Sequence, residues 1–170
     1  MSRILLNLTV SLDGFIEGPN GEFDWCFTDQ DYGMTEFLGR CDAILFGRKS
    51  YEIVLQFDTN PYPDKMKYVF SRTMTSAAPN TQIMSGDVAE ALAGVKQRTA
   101  GDIWFFGGAD LLGQCLQHDL IDEMHLAIHP LLLGRGKPLF SSLSERKYFR
   151  LQTAKTYDSG LAQLIYTRLL

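Results

Sequence analysis

Short apolar runs alternate with helix-like segments along this 170-residue chain, and that alternation most constrains its possible folds. The clearest unit spans residues 101–113, where the strand-like run Ile103–Phe106 meets Gly107-Gly108 and a helical pattern begins at once. Strands that alternate with helices predict a mostly parallel sheet covered by helices on both faces. We therefore expect residues 1–170 to form a single α/β domain.

The remaining elements are predicted from apolar periodicity and from turn residues. Strands are predicted at Ile4–Ser11, Ala43–Phe46, Tyr68–Phe70, Gln82–Met84, Ile103–Phe106 and Glu123–His129. Helices are predicted at Asp31–Arg40, from Gly47–Glu52 onward, at Asp87–Gln97 and at Ala109–His118. Turn signals predict a loop over residues 11–25. The terminal strands, Phe149–Tyr157 and Ala162–Leu169, predict an antiparallel C-terminal hairpin at one sheet edge.

Composition excludes several classes of function. The net charge of -4 argues against nucleic-acid binding, which needs a basic face. No apolar run approaches bilayer length, so no membrane partner is expected. The three cysteines, Cys26, Cys41 and Cys115, are far apart, and no Cys/His cluster has metal-ligand spacing. This pattern predicts free thiols in a reducing cytoplasm and no metal site.

The pair Gly107-Gly108 lies where a helix start would present bare backbone N–H groups to an anion. Those groups and the helix dipole favour phosphate, and any Cβ there would hold a pyrophosphate away from the backbone. A glycine pair between a strand and a helix is also common as a simple turn. The pair alone therefore does not identify a ligand site.

Two other strand ends carry basic and hydroxyl side chains. Gly47-Arg48-Lys49-Ser50 follows one predicted strand, and Ser71-Arg72 follows the next. Ligands of open α/β sheets bind beyond the carboxyl ends of the strands, so these turns and the glycine pair are predicted to meet. Basic residues at a helix start oppose the helix dipole, which favours a binding role for Arg48 and Lys49. The alternative is that each is a solvated surface charge.

Two separated phosphate sites predict a ligand that carries a pyrophosphate and a further phosphate. NADPH meets this description, with its pyrophosphate at Gly107-Gly108 and its 2′-phosphate at the basic turns. NADH would leave those cations without a partner. The GxGxxG and GxxxxGK[ST] motifs are absent, so the binding site follows another design.

Five stretches, in order, resemble the dihydrofolate reductase superfamily, and most of all the reductase domain of the riboflavin-biosynthesis deaminase-reductase and its stand-alone relatives. They are SLDGFIEGPNGEFDW, ILFGRKSYE, YVFSR, IWFFGGADLL and IDEMHLAIHPLLLGRGKPLF. The resemblance implies a dihydrofolate-reductase-like three-layer fold with NADPH as hydride donor. It implies a small heterocyclic or sugar-linked substrate, pyrimidine- or pterin-like, of the 5-amino-6-(5-phosphoribosylamino)uracil type. Relatives with this hairpin often pair, so a homodimer is expected.

The resemblance also implies a cofactor-binding set, carried over by position. The set is Thr9, Ile16, Gly47, Arg48, Lys49, Ser50, Ser71, Arg72, Gly107, Gly108, Ala109, Asp110 and Leu111. Thr9 and Ile16 correspond to positions that line the nicotinamide. Gly14–Trp25 corresponds to a mobile loop that closes over it and excludes water.

The substrate side departs from the family pattern. Dihydrofolate reductases keep a carboxylate on the first helix, a few residues after a tryptophan that Trp25 resembles, and Asp29-Gln30-Asp31 occupies this region here. Asp31 is the predicted catalytic residue, which would stabilise or deliver the proton; the alternative is a first-turn helix cap. Asp13 and Trp25 are predicted to contact substrate, the alternatives being a turn-forming role for Asp13 and core packing for Trp25.

A second class of function stays open. An NADP(H)-binding or sensing module without turnover would keep the cofactor site and lack a proton donor. The ambiguous carboxylate favours this alternative. No counterpart of the arginine that clamps the folate glutamate tail follows Gln56, so physiological dihydrofolate reduction is not expected.

Overall fold

The computed structural model describes residues 2–141 and 143–169, and an eight-stranded sheet lies at its centre. The strands are β1 (Ile4–Ser11), β2 (Phe15–Glu17), β3 (Cys41–Gly47), β4 (Met66–Phe70), β5 (Thr81–Met84), β6 (Asp102–Gly107), β7 (Glu123–His129), β8 (Lys137–Pro138), β9 (Phe149–Thr156) and β10 (Ala162–Arg168). The helices are α1 (Met34–Arg40), α2 (Arg48–Phe57), α3 (Val88–Arg98) and α4 (Ala109–Gln117). Within the described ranges, no helix has the length and apolar character needed to cross a membrane.

The large sheet has the strand order β5-β4-β3-β6-β1-β7-β10-β9. The six strands from β5 to β7 in this order are parallel, and β10 and β9 continue the sheet as an antiparallel hairpin. Strands β2 and β8 form a separate two-stranded antiparallel sheet. The predicted mostly parallel sheet with a C-terminal antiparallel hairpin is therefore confirmed.

Successive residues of the central strands pack on opposite faces of the sheet. Ile4 and Leu6 of β1 belong to a core that includes Leu92 of α3 and Leu112 of α4. Leu5 belongs to the opposite core, which contains residues of α1 and α2. All three β1 side chains are fully buried, as expected for parallel strands covered on both faces. The predicted helical layers on both faces are confirmed.

Two local predictions were wrong. The first helix begins at Met34 rather than Asp31, because Tyr32 and Gly33 have φ values of 51° and 80°, which a right-handed helix does not allow. The predicted loop over residues 11–25 contains β2, which pairs with β8. These strands have three and two residues, too short for apolar alternation to reveal them.

Ion pairs close the amino-terminal edge of the sheet. Arg3 and Arg40 each contact the carboxylates of both Asp102 and Glu123, at nitrogen–oxygen distances of 3.0 to 3.3 Å. A hydrogen bond from the buried His125, together with nearby positive charge, lowers the pKa of Glu123. This edge is occupied by structural contacts, and the open cleft lies at the opposite, carboxyl-terminal edge.

Candidate functional site

A cleft of about 650 Å³ opens beyond the carboxyl ends of β3, β4, β5 and β6. Its volume lies within the range of small-molecule sites, roughly 300–1,000 Å³. It is lined by Gly47, Arg48, Lys49, Ser50, Phe70, Ser71, Arg72, Met84, Ser85, Gly86, Val88, Gly108, Ala109, Asp110, Leu111, Gln114 and Lys137. Three turns that are far apart in sequence therefore meet in one place.

The cleft brings together every residue of the predicted cofactor-binding set except Thr9, Ile16 and Gly107. Gly107 ends β6 directly behind the lining, where an added Cβ would lie 2.9 Å from the Ser50 hydroxyl oxygen. Thr9 lies on β1 opposite Ala127, and Ile16 lies on β2. The proximity of these residues is a structural result, and their binding roles stay predictions.

Gly47 and Gly108 pack backbone against backbone at the floor of the cleft. An added Cβ on Gly108 would lie 3.0 Å from the Gly47 Cα, and one on Gly47 would lie 3.1 Å from the Gly108 Cα. Gly108 has φ 122° and precedes α4 without a side-chain capping hydrogen bond from the described residues. The first backbone N–H groups of α4 are therefore available to an anion.

Ser71 presents a hydroxyl whose acceptor capacity is already used. Its Oγ accepts hydrogen bonds from the backbone N–H groups of Thr73, at 3.1 Å, and Met74, at 3.0 Å. A hydroxyl has two lone pairs and one hydrogen, so the remaining capacity of Ser71 is that of a donor. A buried donor at the rim of a cationic cleft suits a phosphate oxygen.

Four cations line the cleft, and they come from three different parts of the fold. Arg48 and Lys49 lie in the first turn of α2, Arg72 follows β4, and Lys137 lies on β8. The Arg48 guanidinium contacts both carboxylate oxygens of Glu52, at 2.8 and 2.9 Å. Both side chains are partly exposed, so this pair is weak and a phosphate can replace the carboxylate.

Seven lining residues were not predicted from the sequence: the apolar Phe70, Met84 and Val88, and also Ser85, Gly86, Gln114 and Lys137. Ser85-Gly86 follows β5, and the strand-end rule that identified Ser71-Arg72 would have found it. Gln114 lies one helical turn after Asp110 on α4. Lys137 has no comparable signal, because its position depends on the unpredicted pairing of β8 with β2.

Asp13 joins the end of β1 to the segment after β7. Its carboxylate accepts hydrogen bonds from the Ser11 hydroxyl at 2.7 Å and from the backbone N–H groups of Leu133, at 3.1 Å, and Gly134, at 2.7 Å. The hydrogen bond from Ser11 lowers the pKa of Asp13. Through these contacts Asp13 holds the segment after β7 against the end of β1. They do not bear on the predicted substrate contact of Asp13, which stays a prediction.

Trp25 packs against the buried His129. The two rings meet edge to face, with centroids 5.5 Å apart. The His129 Nε2 accepts the backbone N–H of Phe27 at 3.0 Å, and Nδ1 lies 3.1 Å from the carbonyl oxygen of Ala127. This arrangement requires the neutral imidazole with its hydrogen on Nδ1, and burial lowers the His129 pKa. The histidine thus anchors the segment that carries Trp25, which supports the packing alternative.

Asp31 makes contacts that argue against the predicted catalytic role. Its exposed carboxylate accepts the Thr35 backbone N–H at 3.1 Å and the Thr35 hydroxyl at 2.7 Å, so it caps the first turn of α1. The hydroxyl hydrogen bond lowers the pKa of Asp31. A carboxyl group that is ionised at neutral pH and occupied by its own helix is a poor proton donor. These contacts favour the helix-cap alternative for Asp31, and its catalytic role stays a prediction that they do not support.

Asp31→Asn is expected to lower the Tm at neutral pH without changing cofactor affinity. Because the folded-state pKa of Asp31 is depressed, its stabilisation is present at neutral pH and is lost as the pH falls through that pKa. The Tm difference between wild type and variant should therefore shrink below about pH 4. Asp24→Asn, which removes the same charge from an exposed loop position, is the control; equal Tm changes in both variants would contradict the capping role.

Comparison with known proteins agrees with this architecture. Residues 2–163 match the family described as the RibD C-terminal domain. The uncharacterized protein YyaP of Bacillus subtilis (strain 168) is 41% identical over 176 residues, covering 96% of this chain and 94% of YyaP. A Shewanella sp. PV-4 protein provisionally assigned to riboflavin biosynthesis aligns with a TM-score of 0.89 at 28% identity, over 99% of each chain. Dihydrofolate reductase of Enterococcus faecalis, solved with NADP(H), aligns with a TM-score of 0.72 at 14% identity, over 98% of this chain and 96% of its own. The predicted dihydrofolate-reductase-like fold is confirmed.

Proposed function

The chain belongs to the RibD C-terminal domain family, whose members are reductase-like, and from this premise we propose an NADPH-dependent reductase of a small nitrogen heterocycle. One observation carries the proposal. One cleft contains the start of α4, where Gly47 and Gly108 leave the backbone uncovered. The same cleft is lined by the cations Arg48 and Arg72 and by the hydroxyl donor Ser71. A ligand with two phosphate-bearing positions, a pyrophosphate and a further phosphate, uses both features.

The residues of the cleft fit NADPH. The close packing of Gly47 on Gly108 leaves no side chain over the start of α4, so a pyrophosphate can reach its backbone N–H groups. Arg48, Ser71 and Arg72 lie at the other turns of the cleft and suit the 2′-phosphate, since guanidinium groups bind phosphate with two hydrogen bonds. NADH lacks that phosphate and would use only the first feature.

Bound NADPH would supply the hydride, and the work of the chain is to bind, orient and exclude water. The contacts of His129 with Phe27 and of Asp13 with Gly134 fix the segments on either side of the β1 carboxyl end. We assign them the role of holding the loop over residues 14–25 near that end. Because Asp31 caps its helix and the His129 ring hydrogen is directed at a carbonyl, we assign the balancing proton to solvent rather than to either of these groups.

The charge of residues 4–39 bears on the substrate. This segment contains β1, β2, the loop over residues 14–25 and α1 up to its last residue, and it carries seven acidic side chains and no basic one. That last residue, Arg40, is basic, but it is paired with Asp102 and Glu123 at the amino-terminal edge of the sheet. A substrate phosphate would approach like charges without a cation from this segment. The charge pattern therefore favours an unphosphorylated heterocycle over a phosphoribosyl compound.

The helix-capping contacts of Asp31, the predicted proton donor, favour the second candidate, an NADP(H)-binding or sensing module without turnover. The experiment that separates the two is stopped-flow oxidation of NADPH with pterins, pyrimidines, 5-amino-6-(ribosylamino)uracil and its 5-phosphate, with NADH as the control donor. We expect at least one unphosphorylated heterocycle to oxidise NADPH, and faster than its phosphorylated counterpart. Tight NADPH binding without oxidation by any compound would identify the sensing module.

A further inference from the structure

Lys137 is a cleft cation that the proposed function has not used. It lines the cleft together with Gly108, Ala109 and Asp110 at the start of α4. Its ion-pair partner is Glu17 on β2, with 3.9 Å between Nζ and Oε1. We propose that Lys137 binds the cofactor pyrophosphate at the start of α4, in exchange for Glu17. This inference rests on the proposed function.

The position of Lys137 separates it from the cations assigned to the 2′-phosphate. Leu139, two residues further on, is buried in the core that includes Leu111 and Leu112 of α4. An added Cβ on Gly113 of the same helix would lie 3.7 Å from the Ser141 carbonyl oxygen. The segment after β8 therefore packs along α4, and Lys137 enters the cleft from that side.

The charge at the start of α4 requires such a cation. Asp110 lies in the first turn of α4 and lines the cleft, where its carboxylate interacts favourably with the helix dipole. The same carboxylate repels a pyrophosphate that binds to the neighbouring backbone N–H groups. Lys137 supplies the opposite charge in the same part of the cleft and offsets this repulsion.

The backbone on both sides of Lys137 is held against β2. Gly136 has φ 151°, and an added Cβ there would overlap the carbonyl oxygen of Glu17, so only glycine allows this approach. On the other side, the Leu139 N–H donates to the Gly14 carbonyl oxygen at 2.8 Å. The backbone is fixed while the side chain retains the freedom of a lysine, which suits an exchange of partners.

Exchange from Glu17 to phosphate is energetically favourable. The Lys137 and Glu17 side chains are 38% and 28% exposed, and their charged atoms are far apart for an ion pair, so the contact contributes little. A hydrogen bond between an ammonium and a phosphate has charge on both partners and is stronger. Glu17 thus competes weakly with the cofactor for the same side chain.

The test is to measure the Kd of NADPH and of NADH for the full chain by titration calorimetry. Lys137→Met should raise both Kd values about tenfold and leave their ratio unchanged, because the two cofactors share the pyrophosphate. Lys137→Arg should keep most of the affinity. Lys155→Met, which removes the same charge from the exposed edge strand β9, should change neither Kd.

A second variant tests the exchange itself. Glu17→Gln should lower both Kd values about twofold to threefold in the wild-type background and have no effect when combined with Lys137→Met. Unchanged Kd values in a folded Lys137→Met variant would overturn the inference. A loss of affinity for NADPH alone would also overturn it, because that result would place Lys137 at the 2′-phosphate. Failure of the wild-type chain to bind either cofactor would instead overturn the proposed function.

Discussion

Replacing both Arg48 and Arg72 by alanine is expected to raise the NADPH Kd about 100-fold, since each guanidinium would lose a charge-assisted bond to the 2′-phosphate. The NADH Kd should change little, because NADH carries an uncharged 2′-hydroxyl where NADPH carries the phosphate. The preference for NADPH should therefore disappear. Titration of the double variant with both cofactors measures the effect.

The structure provides two controls for this prediction. Arg150→Ala combined with Lys155→Ala removes two positive charges from β9, at the far edge of the sheet, and should leave the preference intact. Glu52→Gln removes the carboxylate that contacts Arg48 and should lower the NADPH Kd but not the NADH Kd. An equal loss of affinity for both cofactors in the double arginine variant would contradict the assignment.

Gly108→Ala is expected to destabilise the fold and to weaken NADPH and NADH binding together. A side chain at φ 122° costs about 1–3 kcal/mol in backbone strain, and the added Cβ would also lie 3.0 Å from the Gly47 Cα. Because that contact is with backbone, the turn after β3 must shift and carry Arg48 with it. Urea unfolding measures the stability, and titration of the folded variant measures both Kd values.

Gly113→Ala is the matched control for Gly108→Ala. Gly113 lies within α4, and among the residues that the structure describes an added Cβ there would meet nothing nearer than the Ser141 carbonyl oxygen at 3.7 Å. Alanine is favoured over glycine inside a helix by about 0.8–1.0 kcal/mol, so this variant should be as stable as wild type or more stable. A Gly108→Ala variant that is destabilised but binds both cofactors normally would restrict Gly108 to a packing role.

Much of the fold was predictable because it depends on local patterns. Strands β1 and β7 were predicted with their observed limits, since apolar residues fill them and turn residues bound them. The helix predicted at Asp87–Gln97 is observed at Val88–Arg98, and the Asp87 carboxylate caps it by accepting the Glu90 N–H. The three turns assigned to phosphate binding could also be predicted to meet, because parallel strands present their carboxyl ends at one edge of the sheet. They are the turns at Gly47–Ser50, Ser71-Arg72 and Gly107-Gly108.

What could not be predicted depends on contacts between distant residues or on backbone conformation. The pairing of β2 with β8 joins two very short strands, so apolar periodicity does not reveal it, and Lys137 reaches the cleft through this pairing. The start of α1 was misplaced because Tyr32 adopts a positive φ, which is uncommon for a tyrosine. That error made Asp31 the preferred catalytic residue. The expected homodimer and cytoplasmic location stay predictions.

If the cleft is an NADP(H) site, it has separate positions for the pyrophosphate and the 2′-phosphate. Parallel titration calorimetry of the wild-type chain with NADPH and NADH, at one salt concentration, tests it most directly. We expect one NADPH bound per chain, with a Kd at least about tenfold below that of NADH. Equal Kd values for the two cofactors, or no binding of NADPH, would contradict it.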